Sequence, residues 1–193
     1  MVTGKFWNRI LLEKGIRVNK DELRKLQIYI GKRNENQTDE QVIKHIDEAN
    51  ASTPLTDDEW HELFFPYCNS GCVNVLKYVL SKIKSLNHIK DFMSHTVYGR
   101  NEGITKGRIG VLKELIKRIN SNNKEKCLDE TMLDAAWFGE TEIVIFLIEN
   151  GANINYVDEN GLGILECAKR AREEFCDDSL INFLKRQGYA NSL

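Results

Sequence analysis

Cysteine and histidine are the side chains on which metal binding or nucleophilic catalysis would rest, and both occur in the first half of this sequence. Cys68 and Cys72 flank Asn69-Ser70-Gly71, and His88 and His95 follow. The two cysteines are separated by three residues across a predicted helix turn, and no second cysteine or histidine pair stands at zinc-finger spacing. That spacing predicts a small packing residue at Cys68, a helix start at Cys72 and no metal site. A cysteine nucleophile needs a local signature around it, and none is present, while a remote histidine exists in most chains of this size. The run from Gly99 through Arg100-Asn101-Glu102-Gly103-Ile104-Thr105-Lys106 to Gly107 has glycines and a lysine. It lacks the GK[ST] order and a preceding strand, so it reads as the irregular turn of a degenerate unit and not as a phosphate cradle. Paired carboxylates at Asp57-Asp58-Glu59 and Asp177-Asp178 fall at predicted helix starts, where they meet the positive end of the helix dipole. The sequence predicts no catalytic residue, no cofactor and no metal.

The elements that carry these residues follow from composition. The chain has 193 residues, 41% hydrophobic and 29% charged, with a formal net charge of -2, a balance that can bury a core. Cys68, Cys72, Cys127, Cys167 and Cys176 are odd in number and irregular in spacing, which predicts a reducing, cytoplasmic setting and no disulfide framework. No apolar run is long enough to span a bilayer, and MVTGKFWNRILLEKG places Glu13 and Lys14 behind a short apolar patch with no small-residue cleavage site. A non-membrane protein without a classical export signal is expected. With no basic block, nucleic acid and anionic membrane are not expected partners. The stretch LKELIKRINSNNKEK puts Lys113, Lys117, Arg118, Lys124 and Lys126 around one helix and loop, which reads as a solvated outer face. Two prolines and 13 glycines are too few for the turns of an all-β sandwich, so the fold should be mostly helix.

One stretch, ETEIVIFLIENGANIN from Glu140 to Asn155, shows how the helices are organised. Ile143, Val144, Phe146, Leu147 and Ile148 form an apolar face at helical spacing, and Asn150-Gly151 is a helix stop. Upstream, LDAAWFG offers Ala135 and Ala136 for close helix approach and Gly139 for the turn between helices. Aligned on that glycine, GETEIVIFLI matches GCVNVLKYVL at Gly71 and GRIGVLKELI at Gly107, at separations of 36 and 32 residues. SLINFLKRQGYAN repeats the second helix and its stop, 37 residues beyond Gly151, with REEFCDD as an insertion. Fainter echoes occur in ILLEKGIRVN, at Gly15 and Val18-Asn19, and in DEQVIKHIDEANAS, at Val42, Ile43 and Ile46. The unit is helix, turn, helix, extended loop.

These phrases resemble the ankyrin repeat family. The resemblance is carried by AAWFG, EIVIFLIENGANIN and DENGLGILECA, with Asp158, Gly161 and Leu165 in family positions. It is fullest over Cys127 to Gly188, less full over Thr56 to Asn123, and least over Met1 to Pro54. The threonine-proline-leucine-histidine phrase is degraded to ETML and GILE, and STPL at Ser52 to Leu55 stands out of register, ahead of a capping box at Thr56-Asp57-Asp58-Glu59. The resemblance implies an all-α, ankyrin-type helical-repeat solenoid with short extended loop tips. It would have an irregular helical region over 1–54 and continuous repeats over about 55–89, 90–124, 125–157 and 158–193. Five or six helix pairs are expected, the last a cap ending in a polar, partly frayed RQGYANSL.

Function is likewise implied by resemblance: a monomer that binds another protein through its concave groove, without catalysis. Carried over by position, the contact residues are Asn69 and Ser70, Thr105 and Lys106, Trp137 and Phe138, and Arg170 and Ala171, with Tyr156, Val157 and Glu159 on a loop. Trp137 and Phe138 are the expected anchors, since the family exposes the two positions before the glycine and large exposed aromatics make binding hot spots. Degenerate, lysine- and asparagine-rich chains of this kind resemble those of intracellular bacteria and large viruses, which implies a secreted effector in a host cytoplasm. An immunity protein against a toxin is the rival reading. A small enzyme drawing on His45, His61 and Cys68, and an oligomerisation module, are the readings from other classes.

Overall fold

A computed structural model describes residues 38–52, 54–84, 89–98 and 104–189, with the side chains of Ser52, Pro66, Tyr67, Asn69 and Ser70 outside the description. The echoes at Gly15 and Val18-Asn19, and His88, also lie outside the described residues. Nine α-helices are described: α1 (Asp39–Ser52), α2 (Asp57–Ser70), α3 (Val73–Lys82), α4 (Ile89–Val97), α5 (Thr105–Ile116), α6 (Lys124–Trp137), α7 (Thr141–Glu149), α8 (Ile164–Phe175) and α9 (Ser179–Arg186). A short 3-10 turn, Ser121–Asn123, precedes α6. Among the described residues the one strand-like pairing is an isolated antiparallel bridge between Val157 and Gly163. None of the described helices is long and apolar enough to cross a membrane.

The helices form where apolar side chains recur on one face. Val75, Leu76, Val79 and Leu80 are buried on α3, Val111, Leu112 and Leu115 on α5, and Ile143, Val144, Phe146 and Leu147 on α7. Each such side chain contributes about 1.5–3 kcal/mol when fully removed from water, a gain that exists only while the neighbouring helices cover it. Thr56 starts α2 with the expected capping box: its hydroxyl accepts from the Glu59 N–H, and its own N–H donates to the Glu59 carboxylate at 2.8 Å. Gly71 closes α2 at φ +70°, a left-handed conformation that costs an L side chain about 1–2 kcal/mol. Cys176 takes the corresponding place after α8 at φ 54°.

Two rows of helices result. The first-helix row runs α2, α4, α6, α8, each packed on the next; the second-helix row runs α1, α3, α5, α7, α9 in the same way. Helix pairs α2–α3, α4–α5, α6–α7 and α8–α9 bridge the rows. Within the first-helix row α4 and α6 run parallel and in register, as paired contacts show. Ser94 Oγ donates to Asp134 at a separation of 40 residues, and Lys90 with Glu130 and Tyr98 with Phe138 keep the same offset. At the far end, Leu180, Ile181, Phe183 and Leu184 are buried while Asn182, Lys185 and Arg186 face outward. Tyr189 is tied rather than frayed: its N–H donates to the Leu184 carbonyl and its hydroxyl to Asn155 Oδ1 at 2.5 Å.

The register corrects one sequence expectation. Between the second and third pairs the first helices repeat every 40 residues, whereas Lys113 over the Phe146 ring gives an offset of 33 for the second helices. The connection from α4 to α5 is therefore longer than that from α6 to α7, and Gly107 is not a turn between helices. It lies in the first turn of α5, with its backbone against Gly71; a Cβ there would fall 2.7 Å from the Gly71 carbonyl oxygen.

Candidate functional site

The C-terminal ends of α4, α6 and α8 bring aromatic side chains together. Trp137 is the last residue of α6 and is 36% exposed; Tyr98, just beyond α4, is 57% exposed. Phe138, next to Trp137 in the chain, is half-buried, with its ring edge-on to Tyr98 at 5.0 Å. Two adjacent residues at a helix end cannot share one face, so Trp137 points outward while Phe138 partly packs. The patch continues through His95 to Phe65, whose rings meet at 4.6 Å. Burial lowers the His95 pKa, although Asp91 opposes the shift, so the ring is neutral at pH 7 and behaves as part of the aromatic surface.

Arg170 is more tightly held than a flanking contact. Its guanidinium lies 3.9 Å over the Trp137 ring, Nη1 donates to the Trp137 carbonyl at 2.5 Å, and Nη2 pairs with Glu174. The guanidinium therefore covers one face of the indole and fixes its orientation, a cation–π arrangement that also lowers the entropy a partner must remove.

A guanidinium out of contact with solvent supports the patch from beneath. Arg108 of α5 is fully buried; Nε donates to the Thr96 carbonyl at 2.6 Å, Nη2 to the Tyr98 carbonyl at 3.3 Å, and Nη1 to Glu140 Oε1 at 2.6 Å. It thus satisfies carbonyls at the end of α4, where a cation also meets the negative end of the dipole. The same side chain ties that end to Glu140, which leads into α7.

The other predicted contact residues are more scattered. Lys106 is exposed, but it sits in the first turn of α5 and not at the end of a first helix. Thr105, expected to be exposed, is buried as the first residue of α5, because α5 begins two residues before Gly107. Tyr156 is half-buried and Glu159 exposed on the tip between α7 and α8, where Val157 is 54% exposed. That tip is shaped by Asp158, whose carboxylate accepts from the N–H groups of Asn160 and Leu162; the Leu162 bond holds its pKa below the usual carboxylate value. Asn69 contributes a backbone position at the end of α2, its side chain lying outside the described residues.

The residues considered for catalysis are placed differently. Cys68 is fully buried and its thiol donates to the Phe64 carbonyl at 3.4 Å; burial pushes its pKa well up, which disfavours a thiolate. His61 packs edge-on against Phe92 at 5.4 Å. Among the described residues no group of three or more His, Cys, Asp or Glu side chains is placed to hold a metal ion.

Sequence reasoning missed Tyr98 and Arg108. The signal for Tyr98 was present: Tyr98-Gly99 repeats Phe138-Gly139 at the 40-residue offset of the first helices, but alignment on the second helices selected Gly107 instead. The chain matches no family model, no curated protein and no solved structure.

Proposed function

We propose that the chain is an ankyrin-type helical-repeat solenoid that binds another protein through the concave face of its first-helix row, without catalysis. Two rows of helices, in which each described helix packs on the next of its row, support the architecture. The observation that carries the binding reading is the exposure of Tyr98 and Trp137 at the ends of successive first helices, Tyr98 resting on half-buried Phe138 and Trp137 braced by Arg170. Aromatic rings and arginine dominate binding hot spots because they remove large areas from water at low entropic cost. A pre-oriented indole has less freedom still to lose. The protein acts by occupying a partner's surface, in the cytoplasmic setting that an effector in a host cell would meet.

The test is a pull-down from cell lysate with wild type and a Tyr98→Ala/Trp137→Ala variant, after circular dichroism shows that both fold alike. Specific capture by the wild type and loss by the variant is expected, since such anchors cost about 2 kcal/mol or more, about thirtyfold in affinity. Capture of the same set by both would remove the patch from the binding surface.

A further inference from the structure

Where α4 packs on α6, three rungs of contact differ in kind. Lys90 pairs directly with the Glu130 carboxylate, Ser94 Oγ donates to Asp134 at 2.6 Å, and the Tyr98 ring meets Phe138 at 5.0 Å. The rungs are four residues apart on each side, so successive ones lie about 6 Å along the seam at 1.5 Å per residue. Asp134 therefore stands one turn from the exposed Tyr98 ring. Among the described residues its carboxylate accepts from the neutral Ser94 hydroxyl, while Lys90, the cation that acts on it, is itself bonded to Glu130.

The charged groups around this seam leave a negative balance. On α4, Asp91 acts on Lys90 and on His95, which burial keeps neutral. On α6, Glu130 takes both Lys90 and Lys126. From the side of α8, Glu166 and Asp158 act together with Asp134 on Cys167, while Arg170 is paired with Glu174. Beneath Tyr98, Arg108 is matched by Glu140. Seven carboxylates thus meet four cations, a balance of -3. The same sign holds along the row: α2, α4, α6 and α8 carry twelve carboxylates and six cations, net -6. The second-helix row, α1, α3, α5, α7 and α9, carries seven carboxylates and eight cations, net +1. The acidic side of the molecule is the side on which Tyr98 and Trp137 are exposed.

A negative field over exposed aromatic rings attracts a cation. The chain already shows that pairing once, between α6 and α8, where the Arg170 guanidinium lies 3.9 Å over Trp137 and pairs with Glu174. Between α4 and α6 the ring is Tyr98 and the carboxylate Asp134, and the third member would come from outside. A guanidinium suits this place better than an ammonium, because its plane stacks on a ring while its fork donates to a carboxylate. We propose that the seam between α4 and α6 receives an arginine of a basic partner protein, stacked on Tyr98 and paired with Asp134. This rests on the reading of the first-helix row as a protein-binding face and names the chemistry of the partner. Burial raises the Asp134 carboxyl above its ordinary range, and an arriving guanidinium supplies the compensation that its charged form lacks.

NMR titration of the full chain, resolved at amides and side-chain carboxyls and at constant ionic strength set with sodium chloride, tests this. The probes are a hexapeptide of alternating glycine and arginine and its citrulline counterpart, which keeps the planar side chain and loses the charge. The arginine peptide should give saturable shifts of the Ser94, Tyr98 and Asp134 amides and lower the Asp134 carboxyl pKa. The citrulline peptide should bind about tenfold more weakly or worse. Asp134→Asn keeps an acceptor for Ser94 and should weaken the arginine peptide about fivefold or more. Glu142→Gln, at an exposed position of α7 in the second-helix row, should leave binding unchanged. Equal saturation by both peptides, no saturable shifts at these amides, or identical binding by Asp134→Asn overturns the arginine site. The pull-down keeps the two readings apart: a partner lost with Tyr98→Ala/Trp137→Ala yet captured undiminished by Asp134→Asn leaves the aromatic face standing and removes the arginine.

Discussion

Replacing Arg108 with methionine tests the reading that a buried guanidinium joins the end of α4 to the start of α7. Methionine keeps much of the aliphatic volume but removes the bonds donated to the Thr96 and Tyr98 carbonyls and to Glu140 Oε1. The Arg108 side chain is 0% exposed and that of Glu140 5%, so solvent cannot replace the lost charge partner. Breaking one side of such a buried pair costs about 3–5 kcal/mol, mainly because the remaining charge is left desolvated. For a chain of this size that corresponds to a fall of about 6–20 °C in Tm. Urea unfolding followed by circular dichroism would measure it in a double-mutant cycle with Glu140→Gln. The double variant should recover much of the loss relative to Arg108→Met, since removing both charges removes the desolvation cost; the carbonyl bonds, about 1 kcal/mol each, stay lost. Additive costs of the two single changes, or a loss under about 1 kcal/mol for Arg108→Met, would refute the reasoning.

A Gly107→Ala change should destabilise by about 1–3 kcal/mol in thermal unfolding, because its Cβ would fall 2.7 Å from the Gly71 carbonyl oxygen and 2.9 Å from Gly71 Cα, backbone atoms that cannot rotate away. Wild-type stability would mean that the two rows do not approach through these glycines. Asp134→Asn should stabilise the protein at pH 7, and the sign follows from linkage. Burial raises the Asp134 carboxyl above its ordinary value of 3.8, so the folded state disfavours the charged form, and stability is lost as pH rises through the raised pKa. Asparagine keeps an acceptor for the Ser94 hydroxyl without the charge. The advantage should shrink as pH falls and disappear below about 3.8; urea midpoints at several pH values would expose a pH-independent difference as a contradiction.

What was legible in the sequence was local. The apolar stripes of α3, α5, α7 and α9, the Thr56 capping box and the Gly71 and Gly139 stops could be read because each depends on residues within one or two turns. The exposure of Trp137 followed from its place before Gly139, and the same logic would have found Tyr98 had the first helices been aligned separately from the second.

The tertiary structure decided what depends on segments meeting. Nothing near Gly107 indicates that the next residue, Arg108, is buried: the acceptors that allow it come from Thr96, Tyr98 and Glu140. Thr105 became a buried helix start because the longer connection before it shifts where α5 begins. Lys113 and Lys126 belong to one basic run, yet one crosses the Phe146 ring and the other lines a cavity with Lys90, a residue from another helix pair. Charge and hydrophobicity are properties of a residue, and the sequence by itself determined those. Desolvation and partnership depend on what the stacked rows bring within a few ångströms, and only the tertiary structure decided them.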